Sequence, residues 1–286
     1  DVYFFDYIVS DIGVTEIYNF QFPTRYYVDK DVFGNENGSS WDDAYTDLRD
    51  ALLNAYPGTE IWVAEGTYKR SGANRNMSFA WDKDSVKLYG GFNGSETMLS
   101  QRDWNANSTI LSGDIGVAGD NSDNCYTTLV GPFGSATNII NYALVDGFTI
   151  QDGNSSGNTS DENRYGGGFF SYTYVRGTDI KNCTFTNNNS TYGAVSASAY
   201  NVDKTINYES CIFKNNTATS AVGAHGRAYN GFDLNTSFVN CLFANNEANS
   251  AVGGTNQNTL FYFGVNGSAN LAINIINSTM SKNTNL

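Results

Sequence analysis

Asn182-Cys-Thr-Phe-Thr-Asn-Asn188 returns as Ser210-Cys-Ile-Phe-Lys-Asn-Asn216, as Asn240-Cys-Leu-Phe-Ala-Asn-Asn246 and, worn down, as Asn277-Ser-Thr-Met-Ser-Lys-Asn283. Successive copies start 28, 30 and 37 residues apart. A phrase repeated at that interval marks a solenoid, in which each unit is too small to bury its own apolar face and stacks on its neighbours instead. Strand alternation sends Cys183 and Phe185 to one face and Thr184 and Thr186 to the other, with the same parity in each copy. Stacked coils would then set Phe on Phe and Cys on Cys along one core, each buried Phe contributing roughly 1.5–3 kcal/mol. The closing residues Asn188, Asn216, Asn246 and Asn283 are expected to turn the strand, because Asn tolerates the left-handed backbone region, and to bond to the same amide one coil away. The expected fold is all-β: a right-handed parallel β-helix, a pectate-lyase-like solenoid of three-sided coils, with the hand that crossovers between parallel strands take.

Bulk properties agree. A solenoid can run to 286 residues as one unit because each repeat touches only its neighbours. With 16 Lys and Arg against 29 Asp and Glu the net charge is −13, which argues against nucleic acid as a partner and fits a soluble surface, a cationic partner or calcium. No run of 18 apolar residues is present, so no membrane span is expected. The chain opens at Asp1 without an initiator Met or a signal peptide, which reads as a processed chain. Three of the four cysteines sit at the same point of the phrase and could stack inward as small hydrophobes or pair as disulfides.

Residues 1–25 read as strands or a packed arm. Residues 26–58 hold a strand and then an amphipathic helix over 40–55, started by Ser39-Ser40 and Trp41-Asp-Asp43, carrying Trp41, Ala44, Tyr45, Leu48, Ala51, Leu52 and Ala55 on one face, and stopped by Pro57-Gly58. Such a helix would cap the open end of the stack at its N-terminal side. Residues 59–286 are expected to form the β-helix, with irregular upper coils and a polar loop from Asp152 that ends in Gly166-Gly-Gly168. Because the chain ends at Leu286 directly after a strand, continuation into a downstream domain, self-association or cover by another chain is expected at that end.

Tyr27-Val-Asp29, Gly38-Ser-Ser-Trp41, Ile61-Trp-Val-Ala64, Gly66-Thr-Tyr68, Gly90-Gly-Phe-Asn-Gly94, Leu111-Ser-Gly-Asp114 and Val145-Asp-Gly-Phe-Thr-Ile150 follow in order. In that order they resemble secreted bacterial right-handed β-helix repeat proteins of the Bacteroidetes type. The phrases ending Phe185-x-x-Asn188, Phe213-x-x-Asn216 and Phe243-x-x-Asn246 resemble the repeats of chlamydial polymorphic outer-membrane proteins, whose Gly-Gly-Ala-Ile-like element is blurred here to Gly193-Ala-Val195, Ala221-Val222 and Ala251-Val252. The resemblance implies a secreted or cell-surface location, with a sorting or anchoring domain of the type IX secretion kind downstream. It implies no single activity, since such scaffolds carry adhesins and enzymes alike.

Chemistry is sparse. The only histidine, His225 in Ala224-His-Gly-Arg227, reads as a turn or surface residue and alternatively as a base for polysaccharide cleavage. Asp179, Asp203, Glu209 and Asp233 are carboxylates without the spacing of a glycosidase pair, and Arg176, Lys181, Lys204 and Arg227 are not singled out for a lyase. Asp114, Asp120 and Asp123 share one Gly-rich loop and could supply oxygen ligands to calcium; they could equally brace a solvated turn. No other cofactor is expected. Tyr165, Phe170, Tyr172 and Tyr174 cluster beside the triple Gly as candidate contacts for a glycan or a protein, unless Phe169 and every second residue after it simply face the core. The reading these features favour is a non-catalytic extracellular or cell-surface protein, adhesin-like or structural in a surface assembly, with a surface glycan or another protein chain as partner. The alternative is a polysaccharide lyase or glycoside hydrolase, or its carbohydrate-binding module, acting along a groove of the helix.

Overall fold

The computed structural model describes residues 4–11, 14–21, 24–156, 165–248 and 259–285. Phe4–Asp11 and Val14–Gln21 form an antiparallel hairpin. From Arg25 onward the strands within every sheet pair in parallel, and their order in each sheet follows the chain, so the chain is a parallel β-helix. One side is an eight-stranded sheet from Arg25–Val28 through Gly177–Lys181 to Leu271–Ile276. A second, of seven strands, starts at Gly66–Lys69 and contains the centres of all four phrases: Thr184–Thr186, Ile212–Lys214, Leu242–Ala244 and Thr279–Ser281. The third side has five strands, Leu129–Val130, Phe169–Ser171, Val195–Ala199, Ala221–Tyr229 and Thr259–Asn266. A narrow four-stranded strip, beginning at Asn189–Ser190, closes the corner between the last two.

Register places like on like. Tyr68, Leu111, Ile150, Phe185, Phe213, Phe243 and Met280 are successive partners in one column. The rings of Phe185 and Phe213 stack at 5.0 Å, and those of Phe213 and Phe243 at 4.5 Å. Beside them Tyr208 stacks on Phe238 at 4.9 Å. All four cysteines are buried and free of disulfides, and Cys183, Cys211 and Cys241 form an interior ladder. Cys183 Sγ donates to the Val145 carbonyl, Cys211 to Ile180 and Cys241 to Tyr208, each one coil back. Ser278 keeps the pattern with an oxygen, donating to Phe238 O at 3.3 Å. Burial in this apolar column pushes the Cys183 thiol up to about 12.

The amide ladder is present, and it divides labour in a way the sequence reading missed. Asn188 Nδ2 donates to Asn216 Oδ1 at 3.1 Å, Asn216 to Asn246 at 3.0 Å, and Asn246 to Asn283 at 2.9 Å. The other Nδ2 hydrogen of each goes to a core carbonyl, of Ile150, Phe185, Phe213 and Phe243 in turn. The left-handed turn belongs to the residue before: Asn187, Asn215, Asn245 and Lys282, with φ from 51° to 56°. A second such turn opens each phrase at Asn182, Ser210, Asn240 and Asn277. A side chain that fills all its bonds inside the core needs an ordinary backbone, so the strained torsion passes to its exposed neighbour.

The helix is also shorter than expected. It spans Leu48–Asn54, with Asp47 as its cap, and buries Leu48, Ala51 and Leu52. Residues 41–46 are drawn away because Asp43 O accepts from Asn37 N and Gly38 N, its carboxylate accepts from Asn35, and Tyr45 bridges to Val28. Asp43, which resembles an acid of a first helical turn, thus holds the preceding loop. In the last described coil Ile273, Ile275 and Met280 occupy core columns and stand exposed. Ala251-Val252 lies outside the described residues.

Candidate glycan-binding face

The five-stranded sheet alternates its residues between two register rows, and Val130, Phe170, Ser196 and His225 of the outer row are buried as well. Leu129, Phe169, Val195, Ala224 and Phe261 point inward in one register row, and Val130, Phe170, Ser196, His225 and Tyr262 point outward in the next. The expectation that Phe169 faces the core holds, and the same alternation delivers Phe170 to the outer face. Before the second and third of these strands the chain turns at Gly166 and Gly193, both at positive φ. Those turns bring Tyr165 and Tyr192 into a parallel bridge. Tyr165 stacks on Tyr192 at 5.2 Å and on Phe170 at 5.7 Å, and both tyrosines tilt against His225. His225 stacks on Tyr262 at 5.3 Å. Tyr172 meets Phe170 edge-on and leans on Phe133. The result is a row of rings running along the helix axis over several coils.

Of the four sequence candidates, Tyr165, Phe170 and Tyr172 come together in this row. Tyr174 does not: it sits at φ 60° where the chain leaves for the next side, and its carbonyl accepts from Ile140 N. Behind the row, Lys204 is fully buried. Its ammonium donates to Ser171 O at 3.1 Å, to Ser171 Oγ at 3.0 Å and to the Tyr172 carbonyl. Burial with no carboxylate partner pushes this amine down to about 7. The Lys thereby fixes the backbone under Tyr172. The signal for it was available, since Lys204 shares strand parity with Ile206 and Tyr208, both core residues.

A cavity of about 490 Å³ opens at the upper end of the row, walled by Tyr126, Phe133, Phe170 and Tyr172 and by Arg70 and Arg75. Its other wall comes from residues 75–80, a segment no repeat foretold. Arg75 lies over Tyr126 at 4.3 Å and donates to the carbonyls of Asn124 and Asn154, both at 2.7 Å. The Arg70 Nε is buried with no hydrogen-bond partner among the described residues. At the lower end a second cavity of about 260 Å³ is lined by Arg227, Tyr229, Tyr262 and Asn266. No Asp or Glu among the described residues lines either one.

His225 is neither turn nor surface: it is buried in the middle of Ala221–Tyr229. Its Nδ1 is 3.0 Å from Ser196 Oγ, and its Nε2 has no partner among the described residues. Burial, reinforced by the neighbouring Arg227, pushes the imidazole down to about 3. A base so reluctant to take a proton activates a hydroxyl poorly.

The remaining candidate acids all hold hydrogen bonds or ion pairs. Asp203 Oδ1 accepts from Asp233 N, and Asp233 Oδ1 from Asn270 N, forming a corner ladder. Asp179 accepts from Tyr142 Oη and Asn207 Nδ2, and Glu209 pairs with Lys181 at 2.9 Å. Asp114 pairs with Lys69 at 2.8 Å and accepts from Gly119 N, Asp120 accepts from Ser122 N, and Asp123 from Val117 N. The three carboxylates of that loop brace its own backbone. No group of three or more His, Cys, Asp or Glu that could hold a metal ion occurs among the described residues.

No protein-family model matches the chain, and no curated protein is similar to it in sequence. Among solved structures it is similar to a pectin methylesterase from Aspergillus niger, at 16% identity over 90% of this chain and 85% of that one, with a TM-score of 0.29. The fold described above rests on the chain's own strand register. No helix among the described residues is long and apolar enough to cross a membrane.

Proposed function

We propose that this chain is a non-catalytic glycan-binding β-helix, working as an adhesin-like or structural part of a secreted or cell-surface assembly. The observation that carries this reading is the ring row from Phe133 and Tyr172 to Tyr262, ending at a cavity at either end. A row of ring edges and tyrosine hydroxyls along a sheet offers apolar and hydrogen-bonding contact to a sugar chain, and the rigid coils beneath it keep that surface preformed. Its setting outside the cell, and any sorting domain downstream, belong to the same proposal.

A lyase or hydrolase acting along this groove is the second reading, and Ser196 beside His225 is the observation nearest to it. Against it stand the low basicity of that imidazole and the structural engagement of Asp179, Asp203, Glu209 and Asp233. The test is incubation with a panel of neutral and acidic polysaccharides, following both binding and products. Binding without new reducing ends or ultraviolet-absorbing ends supports the first reading. Product formation that His225→Gln abolishes would establish the second.

A further inference from the structure

The two cavities share a chemistry at odds with the rest of the chain. The protein carries −13, yet the row of rings has arginines at both ends and no carboxylate lining either cavity among the described residues. We infer that the ligand is an acidic polysaccharide lying along the helix axis, its acidic groups held at Arg70 and Arg75 in the upper cavity and at Arg227 in the lower. This rests on the glycan-binding reading and narrows it to one class of glycan.

Three observations converge. The first is Arg70, which lines the larger cavity and whose Nε is a buried donor without an acceptor among the described residues. Leaving such a donor unmet is costly, and a carboxylate or sulfate oxygen would satisfy it with a charge-assisted bond. The second is support: Arg75 is held by two carbonyls and by Tyr126, and Arg227 by Tyr229 Oη at 3.2 Å between the rings of Tyr192 and Tyr262. Both guanidinium groups are therefore fixed before a ligand arrives, which lowers the entropic cost of binding. The third is spacing. Phe170 and Tyr262 are three coils apart in one register row, a rise of roughly 14 Å at about 4.8 Å per coil. A single sugar cannot reach both cavities, whereas a short chain laid along the row past Tyr165 and Tyr192 can.

Isothermal titration of the full chain with four polysaccharides tests this: a polyuronate, the same polymer after carboxyl reduction, dextran sulfate, and neutral dextran, with polyglutamate as a non-sugar polyanion. Preference for the polyuronate over its reduced form, weakening with salt, is expected, as is a loss of about tenfold for each of Arg70→Gln and Arg227→Gln, the size of one charge-assisted hydrogen bond. Stronger binding of dextran sulfate than of polyuronate keeps the acidic class and identifies sulfate as the group. Affinity is also expected to climb from the monosaccharide to oligomers long enough to span both cavities and then level off. Equal binding of the reduced polymer overturns the inference while leaving the glycan-binding reading in place. Failure of every glycan overturns both, and so does tighter binding of polyglutamate than of any glycan. If either arginine variant folds, as judged by an unchanged melting curve, and binds the polyuronate as the parent does, the axial two-ended arrangement is wrong.

Discussion

The coils from Gly177 onward and those before it solve one geometric problem with different residues. In the later coils each position of the phrase has its own column: Phe on Phe, thiol on carbonyl, Asn on Asn. In the earlier coils the same columns hold Tyr68, Leu111 and Ile150 in place of Phe. There Asp152 takes the left-handed turn, and the Gly153 N–H meets the top of the amide ladder at 3.1 Å. Backbone register carries the helix through both regions, and the repeated side chains add a second, redundant lock only in the later one. The larger cavity lies where that redundancy is absent. Residues 70–80 and 126–133 are free of the repeat, and they build a wall that a strictly periodic chain could not provide. Irregular coils wall the larger cavity, and the regular ones carry the smaller.

The sharpest way to break this comparison is inside the amide ladder. Asn216→Ala would leave the Asn188 amides and the Phe185 carbonyl without partners in a dry core, at roughly 1–3 kcal/mol each, for a total of about 4 kcal/mol. Asn215→Gly, one residue away, should change stability by less than about 1 kcal/mol, because Gly accepts the positive φ. Paired denaturant titrations of the two variants would show whether the bond and the turn really sit on neighbouring residues. Phe213→Ala should cost roughly 3–5 kcal/mol, and Leu111→Ala in the earlier coils roughly 2–5. A much smaller loss at Leu111 would mean that the irregular region is looser than its register suggests.

Acid probes the ring row. The His225 imidazole stands near 3 in the fold against about 6.5 in an unfolded chain. The unfolded state therefore holds the extra proton between those values, and stability rises with pH across that window. His225 contributes fully above about pH 6.5, and its contribution drains away as the pH falls toward 3. His225→Gln should flatten that part of the stability profile and leave the profile above pH 7 parallel to the parent's. Smallest of all should be Glu209→Gln: its pair with Lys181 is roughly half exposed, so the expected loss is below about 1 kcal/mol and shrinks with salt.

How much of this was written in the sequence follows the same division. Repetition made the phrase legible, because one alternation read four times fixes both a face and a register. The pairing of two adjacent asparagines hid which of them turns the chain, since either residue type alone tolerates the left-handed region. Ser40 and Asp43 mimicked a helix start while serving a loop, and the competing bonds from Asn35, Asn37 and Gly38 came from residues with no periodic relation to them. Tyr165, Phe170 and Tyr172 were visible as a cluster beside three glycines. Arg70, Arg75 and Tyr126 were not, because only the folding of non-repeating segments brings them to that wall.

A crystal structure that resolves the side-chain amides of Asn188, Asn216, Asn246 and Asn283 tests the central claim most directly. The account predicts one unbroken file of amide-to-amide bonds, with the rings of Phe185, Phe213 and Phe243 stacked beside it at one coil per step. Amides turned to solvent, or the three phenylalanines divided between two facing sheets, would contradict it.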